Sequence, residues 1–137
     1  QMRAMAAIVG GGVLSRFPNA RFAFLESGCG WVPFWLDRLD DHYEKMPLHV
    51  PLLRQSPRDA VLRGDQCFIS CDPDETTIES VVDLIGEDRI IYASDYPHFD
   101  GRFPDSVRLI AERDRLTESA KRKILAGNAL RLYPRLQ

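Results

Sequence analysis

Short apolar runs alternate along the chain with segments in which apolar residues recur at helical spacing. The runs at 21–25, 66–70 and 90–93 consist mainly of aromatic, β-branched and other apolar residues, and polar residues or glycine bound them. All three runs are typical of strands, and the continuous apolar run at 90–93 predicts a strand that is buried on both faces of a parallel sheet. Helical spacing follows each run, so the sequence predicts the strand–helix alternation of an α/β fold with about three parallel strands.

Glycine and acidic residues mark the expected ends of the helices. Residues 1–17 have one amphipathic pattern, which the glycines at 10–12 interrupt, and we expect the sheet to approach the chain closely there. Asp72 and Glu75 have the spacing of a helix-capping pair. We therefore predict a helix that begins beside them and that Gly86 ends.

Three further predictions concern the segments that cover the sheet. Residues 47–64 are expected to form a long loop with a short helix at 57–62. Thr117 is expected to cap the last helix, and Gly127 to break it. The residues expected to face the core are Phe34, Trp35, Leu39, Tyr43 and Met46 in the helix after the first strand, and Val107, Leu109 and Ile110 in the helix after Pro104.

Carboxylates follow the first and third predicted strands. Glu26 comes directly after the first strand, and Asp95 follows the third, with His98 in the same loop. Side chains just past the carboxyl ends of parallel strands point into the binding crevice of such folds, so these residues are candidates for a site. An Asp in this position is also a common turn former or helix cap, and spacing alone supports both interpretations equally.

Three motifs carry a resemblance to a known family. Residues 22–40 contain the sequence FAFLESGCGW followed by a helix, residues 93–101 are ASDYPHFDG, and residues 127–133 are GNALRLY. In this order they resemble the sixth strand and helix, the last strand and the closing helix of the amidohydrolase superfamily, in the branch related to aminocarboxymuconate-semialdehyde decarboxylase. The resemblance implies a distorted (β/α)₈ barrel and a metal-dependent hydrolase or decarboxylase.

The resemblance also implies roles for single residues. Asp95 would ligate a divalent metal, for which we expect zinc, and shuttle a proton, while a His-x-His pair and a further His on earlier strands would complete the site. His42, His49 and His98 lack that spacing. His98 is expected to hold Asp95 or to touch the substrate; the alternative is that it faces solvent on the loop.

The strand end occupied by Glu26 carries a catalytic His in the decarboxylase of this branch. We expect Glu26 to act as a general base or to orient the substrate. The alternative is that its carboxylate is bound by backbone amides of the glycine-rich turn that follows. Gly28 in that turn, Trp31 at its end and Phe99 beside His98 are the expected substrate contacts.

The length of the chain bounds its domain organisation. A (β/α)₈ barrel typically needs about 250 residues, whereas this chain has 137 and begins with Gln1. We therefore expect residues 1–137 to be a single partial domain, the C-terminal half of a barrel, and to be inactive in isolation. Open strand edges make a homo-oligomer plausible.

Composition excludes several other classes of protein. A net charge of −2 with scattered basic residues gives no electrostatic reason to expect a nucleic-acid partner. Three cysteines without paired spacing indicate neither a disulfide framework nor a zinc ribbon and suit a reducing cytoplasm. The longest apolar stretch, residues 5–14, is too short to span a membrane.

The expected function is therefore that of part of a metal-dependent hydrolase or decarboxylase acting on a small carboxylated or cyclic substrate. The alternative is a catalytically silent barrel fragment or an α/β binding module. In that case Asp95 would serve as a capping residue and Glu26 as a turn residue.

Overall fold

A computed structural model describes residues 1–136. Its centre is a sheet of three parallel strands in the order β1-β2-β3, as the sequence predicts. Phe22 of β1 pairs with Cys67 of β2, and Ile69 of β2 pairs with Ile90 of β3. The strands are β1 (Phe22–Phe24), β2 (Cys67–Cys71) and β3 (Ile90–Tyr92).

Eight α-helices surround this sheet within residues 1–136. A π-helical turn (Lys123–Gly127) joins the last two of them, and 3₁₀ turns lie at Pro47–His49 and Pro134–Leu136. The helices are α1 (Met2–Gly10), α2 (Val13–Arg16), α3 (Val32–Lys45), α4 (Pro57–Leu62), α5 (Ile78–Ile85), α6 (Ser106–Ala111), α7 (Glu118–Arg122) and α8 (Asn128–Leu132).

The core lies on both faces of the sheet, because all five residues of β2 are buried. One face packs against a large cluster that includes side chains from α1, α3, α5 and α6. On the other face, Phe68 and Ile91 form a smaller cluster with Leu132 of α8. A central strand that is buried in every position requires this double cover, which explains why apolar residues and the one polar residue, Ser70, do not alternate along β2.

The predicted helix over residues 1–17 is two helices, α1 and α2. The chain turns at Gly12, whose φ of +65° lies in the left-handed region. A Cβ at Gly12 would lie 2.7 Å from the backbone oxygen of Leu52. The segment packed closely against Gly12 is therefore the loop before α4. The prediction that the sheet would lie against these glycines is wrong.

Several core positions predicted from helical spacing face outward. Phe34 of α3 is 60% exposed and Val107 of α6 is 51% exposed, and Met46 is also exposed. The apolar face of α3 is narrower than its aromatic content suggests. Leu36, which was not among the predicted core positions, is completely buried there.

The last helix does not break at Gly127, which has helical dihedral angles. Helix α7 passes through the π-helical turn directly into α8. The predicted cap at Thr117 is confirmed, because its hydroxyl accepts a hydrogen bond from the amide of Ala120. The predicted helix end at Gly86 is also confirmed, since Gly86 ends α5 with a φ of +81°.

Helix α5 begins later than the capping pair predicts. Its first residue is Ile78, and Thr77 is its N-cap. Asp72 and Glu75 lie in the preceding turn, where the Glu75 amide donates to the carbonyl of Asp72. The predicted reach of the Glu75 side chain to this helix start is wrong, because its carboxylate lies against a different turn.

All three cysteines have free thiols and are buried. Within residues 1–136, none of the helices has the length and apolar character needed to cross a membrane.

Candidate active site

All three strands end at one cavity of about 550 Å³. Glu26 follows β1, Asp72 follows β2 and Asp95 follows β3, and each of them lines this cavity. They meet there because the carboxyl ends of parallel strands lie at the same edge of the sheet. The strand-exit argument thus places Glu26 and Asp95 at a common cavity, and it applies equally to Asp72.

Asp95 and His98 form a pair in the loop after β3. Nδ1 of His98 lies 3.0 Å from Oδ2 of Asp95, and both side chains are exposed to the cavity or to solvent. The amide of His98 also donates to the backbone carbonyl of Asp95, which closes a tight turn. Asp95 itself has a φ of +52°, a left-handed conformation that non-glycine residues seldom adopt.

A potential metal-binding cluster includes this pair. Among the described residues, ligand atoms of Asp95, His98 and Asp100 lie within 4.8 Å of one another. Two carboxylates and one imidazole are donors that divalent cations such as Mn²⁺ and Zn²⁺ accept. His98 contacts only Oδ2 of Asp95, so Oδ1 has no partner among the described residues.

Glu26 and Asp95 line the cavity from the ends of the two outer strands, β1 and β3. Glu26 has a φ of +58° and an exposed side chain. The backbone amides of Cys29 and Gly30 donate to the carboxylate of Glu75 and not to that of Glu26. The turn therefore uses a different carboxylate, and the alternative role predicted for Glu26 is wrong.

Asp72 lines the cavity, although the sequence pattern predicted it as a helix-capping residue. Burial raises the pKa of its carboxyl above the ordinary value, and the negative charges of Glu75 and Asp74 raise it further. Asp72 directly follows a buried strand, which is the same signal that identified Asp95. The nearby Pro73 favoured the capping interpretation instead.

Arg102 is the one arginine or lysine among the described residues that line this cavity. Its Nε and Nη2 atoms both lie 2.6 Å from Oδ2 of Asp74, a residue of the loop after β2. This ion pair joins the loop after β3 to the loop after β2. Sequence alone gives no signal for it, because the two residues are far apart in the chain.

The predicted substrate contacts are not among the side chains that form the cavity wall. Trp31 packs edge-on against Phe24, with ring centroids 6.5 Å apart, and its Nε1 donates to the carbonyl of Gly28 at 3.0 Å. Gly28 is buried, whereas Phe99 is completely exposed. Trp31, Gly28 and Phe99 are not among the residues that line the cavity.

Parallel strands joined by helices, with most of the helices packed on one face of the sheet and acidic side chains at the carboxyl ends of the strands, are the arrangement of a segment of a (β/α) barrel. The chain belongs to the amidohydrolase family, whose model matches residues 1–135.

Two similar proteins are about equally distant in sequence. The 2-amino-3-carboxymuconate-6-semialdehyde decarboxylase of Dictyostelium discoideum is 29% identical over 128 residues, which are 93% of this chain and 34% of that protein. An amidohydrolase structure from Mycobacterium avium subsp. paratuberculosis is also 29% identical, with a TM-score of 0.80 over 96% of this chain and 32% of that one.

A more distant structure shares the fold. A dihydroxybenzoic acid decarboxylase from a Polaromonas species, with bound manganese and the inhibitor 2-nitroresorcinol, has a TM-score of 0.76 and 18% identity over 99% of this chain and 40% of that one. The chain thus spans about a third of the length of the proteins it matches. The predicted fold class, a portion of a TIM-like barrel, is confirmed.

Proposed function

We propose that these residues form part of the active site of a metal-dependent decarboxylase that acts on a small carboxylated, cyclic substrate. The observation that carries the proposal is the convergence of Glu26, Asp72 and Asp95 on one cavity at the strand ends. Hydrolysis by the same groups is the related reaction that the family name suggests. The cavity, about 550 Å³, is in the range that holds small molecules.

Asp95 is the residue of this chain that would hold the metal, through the carboxylate oxygen that His98 leaves free. His98 and Asp100 supply further donors close to it. Manganese in the Polaromonas decarboxylase supports a divalent cation, and zinc is the ion that the sequence resemblance suggests. Such an ion supplies Lewis-acid stabilisation of negative charge on the substrate.

The protein groups would move the proton. In a decarboxylation, the carbon that carries the carboxylate gains a proton, its bond to that carboxylate breaks, and CO₂ leaves. Asp95 and Glu26 line one cavity at the ends of the two outer strands, so one can deliver the proton as the other orients the substrate. The donor becomes a carboxylate and is reprotonated from solvent, so the cycle consumes no oxidant or reductant.

The substrate class is proposed from the relatives and from the charge of the cavity. Decarboxylases of aminocarboxymuconate semialdehyde and of dihydroxybenzoic acid are among the similar proteins. Arg102 supplies a guanidinium at a cavity that is otherwise acidic, and its Nη1 has no partner among the described residues. A substrate carboxylate matches the geometry of that group.

The test uses the full-length protein that contains these residues. It is loaded with Mn²⁺ or Zn²⁺ and incubated with 2,6-dihydroxybenzoate, 5-carboxyvanillate or aminocarboxymuconate semialdehyde, and CO₂ release is measured. We expect turnover of at least one of these compounds and its loss in Asp95→Asn. The melting temperature (Tm) of that variant should stay near the wild-type value, because Asp95 is exposed.

Near-normal turnover in Asp95→Asn would refute the assignment of Asp95. A full-length protein that binds no metal in native mass spectrometry and releases no CO₂ would instead support a silent barrel or a binding module. His49→Ala is the control, since His49 is an exposed histidine whose ring lies 5.3 Å from that of His42 and does not line the cavity.

A further inference from the structure

The carboxylate of Glu75 is bound by the turn between β1 and α3 and by the hydroxyl of Thr77. The amide of Cys29 donates to both of its oxygens, at 2.9 and 3.1 Å, and the amide of Gly30 donates to Oε1 at 2.7 Å. The hydroxyl of Thr77 donates to the same oxygen at 2.7 Å. Hydrogen bonds to a charged acceptor are about twice as strong as neutral ones, so these contacts hold the turn firmly.

Two glycines make room for this carboxylate. A Cβ at Gly28 would lie 2.9 Å from Oε2 of Glu75, and a Cβ at Gly30 would lie 2.6 Å from Oγ1 of Thr77 and 3.0 Å from Oε1 of Glu75. Gly28 also has a φ of +58°. The turn is thus shaped around the Glu75 side chain, with consecutive amides that form an anion-binding concavity.

Glu75 is itself held in place from the other side. Nη2 of Arg113 donates to the backbone carbonyls of Glu75, at 2.6 Å, and of Pro73, at 2.9 Å. Nη1 of Arg113 contacts both carboxylate oxygens of Glu79 at 2.9 Å. The chain of contacts therefore runs from the loop before α7, through Glu75, to the turn after β1.

The turn that Glu75 binds also carries Glu26. Glu26 lies three residues before Cys29 and adopts a left-handed conformation, and Trp31 closes the far end of the turn by donating to the carbonyl of Gly28. Glu75 does not line the cavity, whereas Glu26 does. We propose that Glu75 is a positioning residue: it fixes the turn 26–31 and thereby aims the Glu26 carboxylate into the cavity.

The positioning role of Glu75 follows from its contacts alone, whereas its expected effect on the reaction rate rests on the proposed function. A displacement of about 1 Å in a catalytic group can cost about a hundredfold in rate. Loss of the Glu75 carboxylate is therefore expected to lower kcat ten- to a hundredfold while KM changes less than threefold. Because Glu75 acts through Glu26, its effect should vanish when Glu26 has already been replaced.

The experiment is a double-mutant cycle in the full-length, Mn²⁺-loaded protein with the best substrate of the panel above. Glu75→Ala, Glu26→Gln and the double variant are compared by kcat, and we expect the double variant to be no slower than Glu26→Gln alone. Losses that multiply would mean a merely structural role and would overturn the proposal. Glu87→Gln is the control, because Glu87 also accepts from a hydroxyl, that of Ser119, but precedes β3.

Formate provides a second measurement that does not need turnover. In Glu75→Ala, formate can occupy the space beside the amides of Cys29 and Gly30, so we expect a saturable rise in Tm, and in kcat where there is turnover. The wild type and Glu87→Gln should not respond. A wild-type protein without turnover would refute the proposed function. The Tm response would then test the role of Glu75 by itself, and the absence of a rise in Tm for Glu75→Ala would overturn that role.

Discussion

Nδ2 of Asn128 lies 2.7 Å from the backbone carbonyl oxygen of Ile90, at the start of the strand that leads to Asp95. The same nitrogen donates to the carbonyl of Glu87, also at 2.7 Å. Asn128 is completely buried at the first position of α8. The closing helix thereby holds the entrance of β3, which explains why an amide is found inside an apolar core.

Replacement of Asn128 by Ala is expected to destabilise the fold strongly. The buried carbonyl of Ile90 and the part-buried carbonyl of Glu87 would both lose their donor. A buried unsatisfied group costs about 1–3 kcal/mol, so a loss of about 2–4 kcal/mol is expected. Urea unfolding measures this loss. Asn19→Ala, at an exposed position, serves as the control and should change stability by less than about 0.5 kcal/mol. Equal stabilities of the two variants would contradict the assigned role.

Replacement of His98 by Ala in the full-length protein is expected to lower activity. The contact between Nδ1 and Asp95 orients the carboxylate, and loss of such a partner typically costs ten- to a hundredfold in metal affinity or activity. His98→Asn, whose amide can take the place of Nδ1, should retain more activity than His98→Ala. Steady-state kinetics and metal titration measure both effects, and a His98→Ala variant with wild-type kcat and metal affinity would rule out this role.

The parts of the fold predicted correctly are those that depend on local pattern. The run around Ile90 is a strand because its residues are apolar and have high β-propensity. Asp95 was selected as a candidate because it follows the end of this strand. Thr117 was recognised as a cap because its partner amide is three residues away.

The parts that could not be predicted depend on partners far away in the chain. Glu75 has the spacing of a capping residue, but its carboxylate is used 45 residues earlier, at the amide of Gly30. Gly127 is a helix breaker by propensity, yet packing of α8 against β3 keeps the helix continuous. Phe34 is aromatic but exposed, because the core covers only a narrow face of α3.

Acid is expected to destabilise the contacts that Ser119 of α7 and Lys123 of the π-helical turn make with the turn before β3. Hydrogen bonds from Lys123 and Ser119 hold the pKa of Glu87 below its ordinary value of 4.5, and Lys123 likewise lowers the pKa of Asp88 below 3.8. A lowered folded-state pKa means that the stabilisation is complete above the unfolded-state pKa and is lost as the pH falls through the folded-state pKa. Tm should therefore decrease as the pH is lowered below about 4.5.

The variant Lys123→Met tests this pH dependence. It should lower Tm at pH 7, and the difference from wild type should shrink as both carboxylates become protonated. Arg3→Met removes an exposed cation that has no carboxylate partner among the described residues, so it controls for net charge. A Tm difference for Lys123→Met that stays constant from pH 7 to about pH 2.5 would contradict the prediction.

The cysteine thiols are expected to be unreactive in the folded protein. Burial raises the pKa of Cys67 and of Cys71 to about 12, and burial together with the charge of Glu75 raises that of Cys29 as well. The thiolate is the reactive form. At pH 8, Ellman's reagent should therefore titrate no thiol in the native chain and three in urea. Rapid titration of a thiol in the folded state would show that the core opens there.

Replacement of Gly12 by Ala is expected to destabilise the junction between α1 and α2. The φ of +65° costs a residue with a Cβ about 1–2 kcal/mol, and the added carbon would also lie 2.7 Å from the Leu52 carbonyl oxygen. Gly64→Ala is the matched control, because its Cβ would meet only Oε1 of Gln66, at 3.8 Å. That variant should be stabilised by about 0.4–1 kcal/mol through lower entropy of the unfolded chain. Urea unfolding should thus give changes of opposite sign, and a Gly12→Ala variant as stable as the wild type would mean that the turn can rearrange without cost.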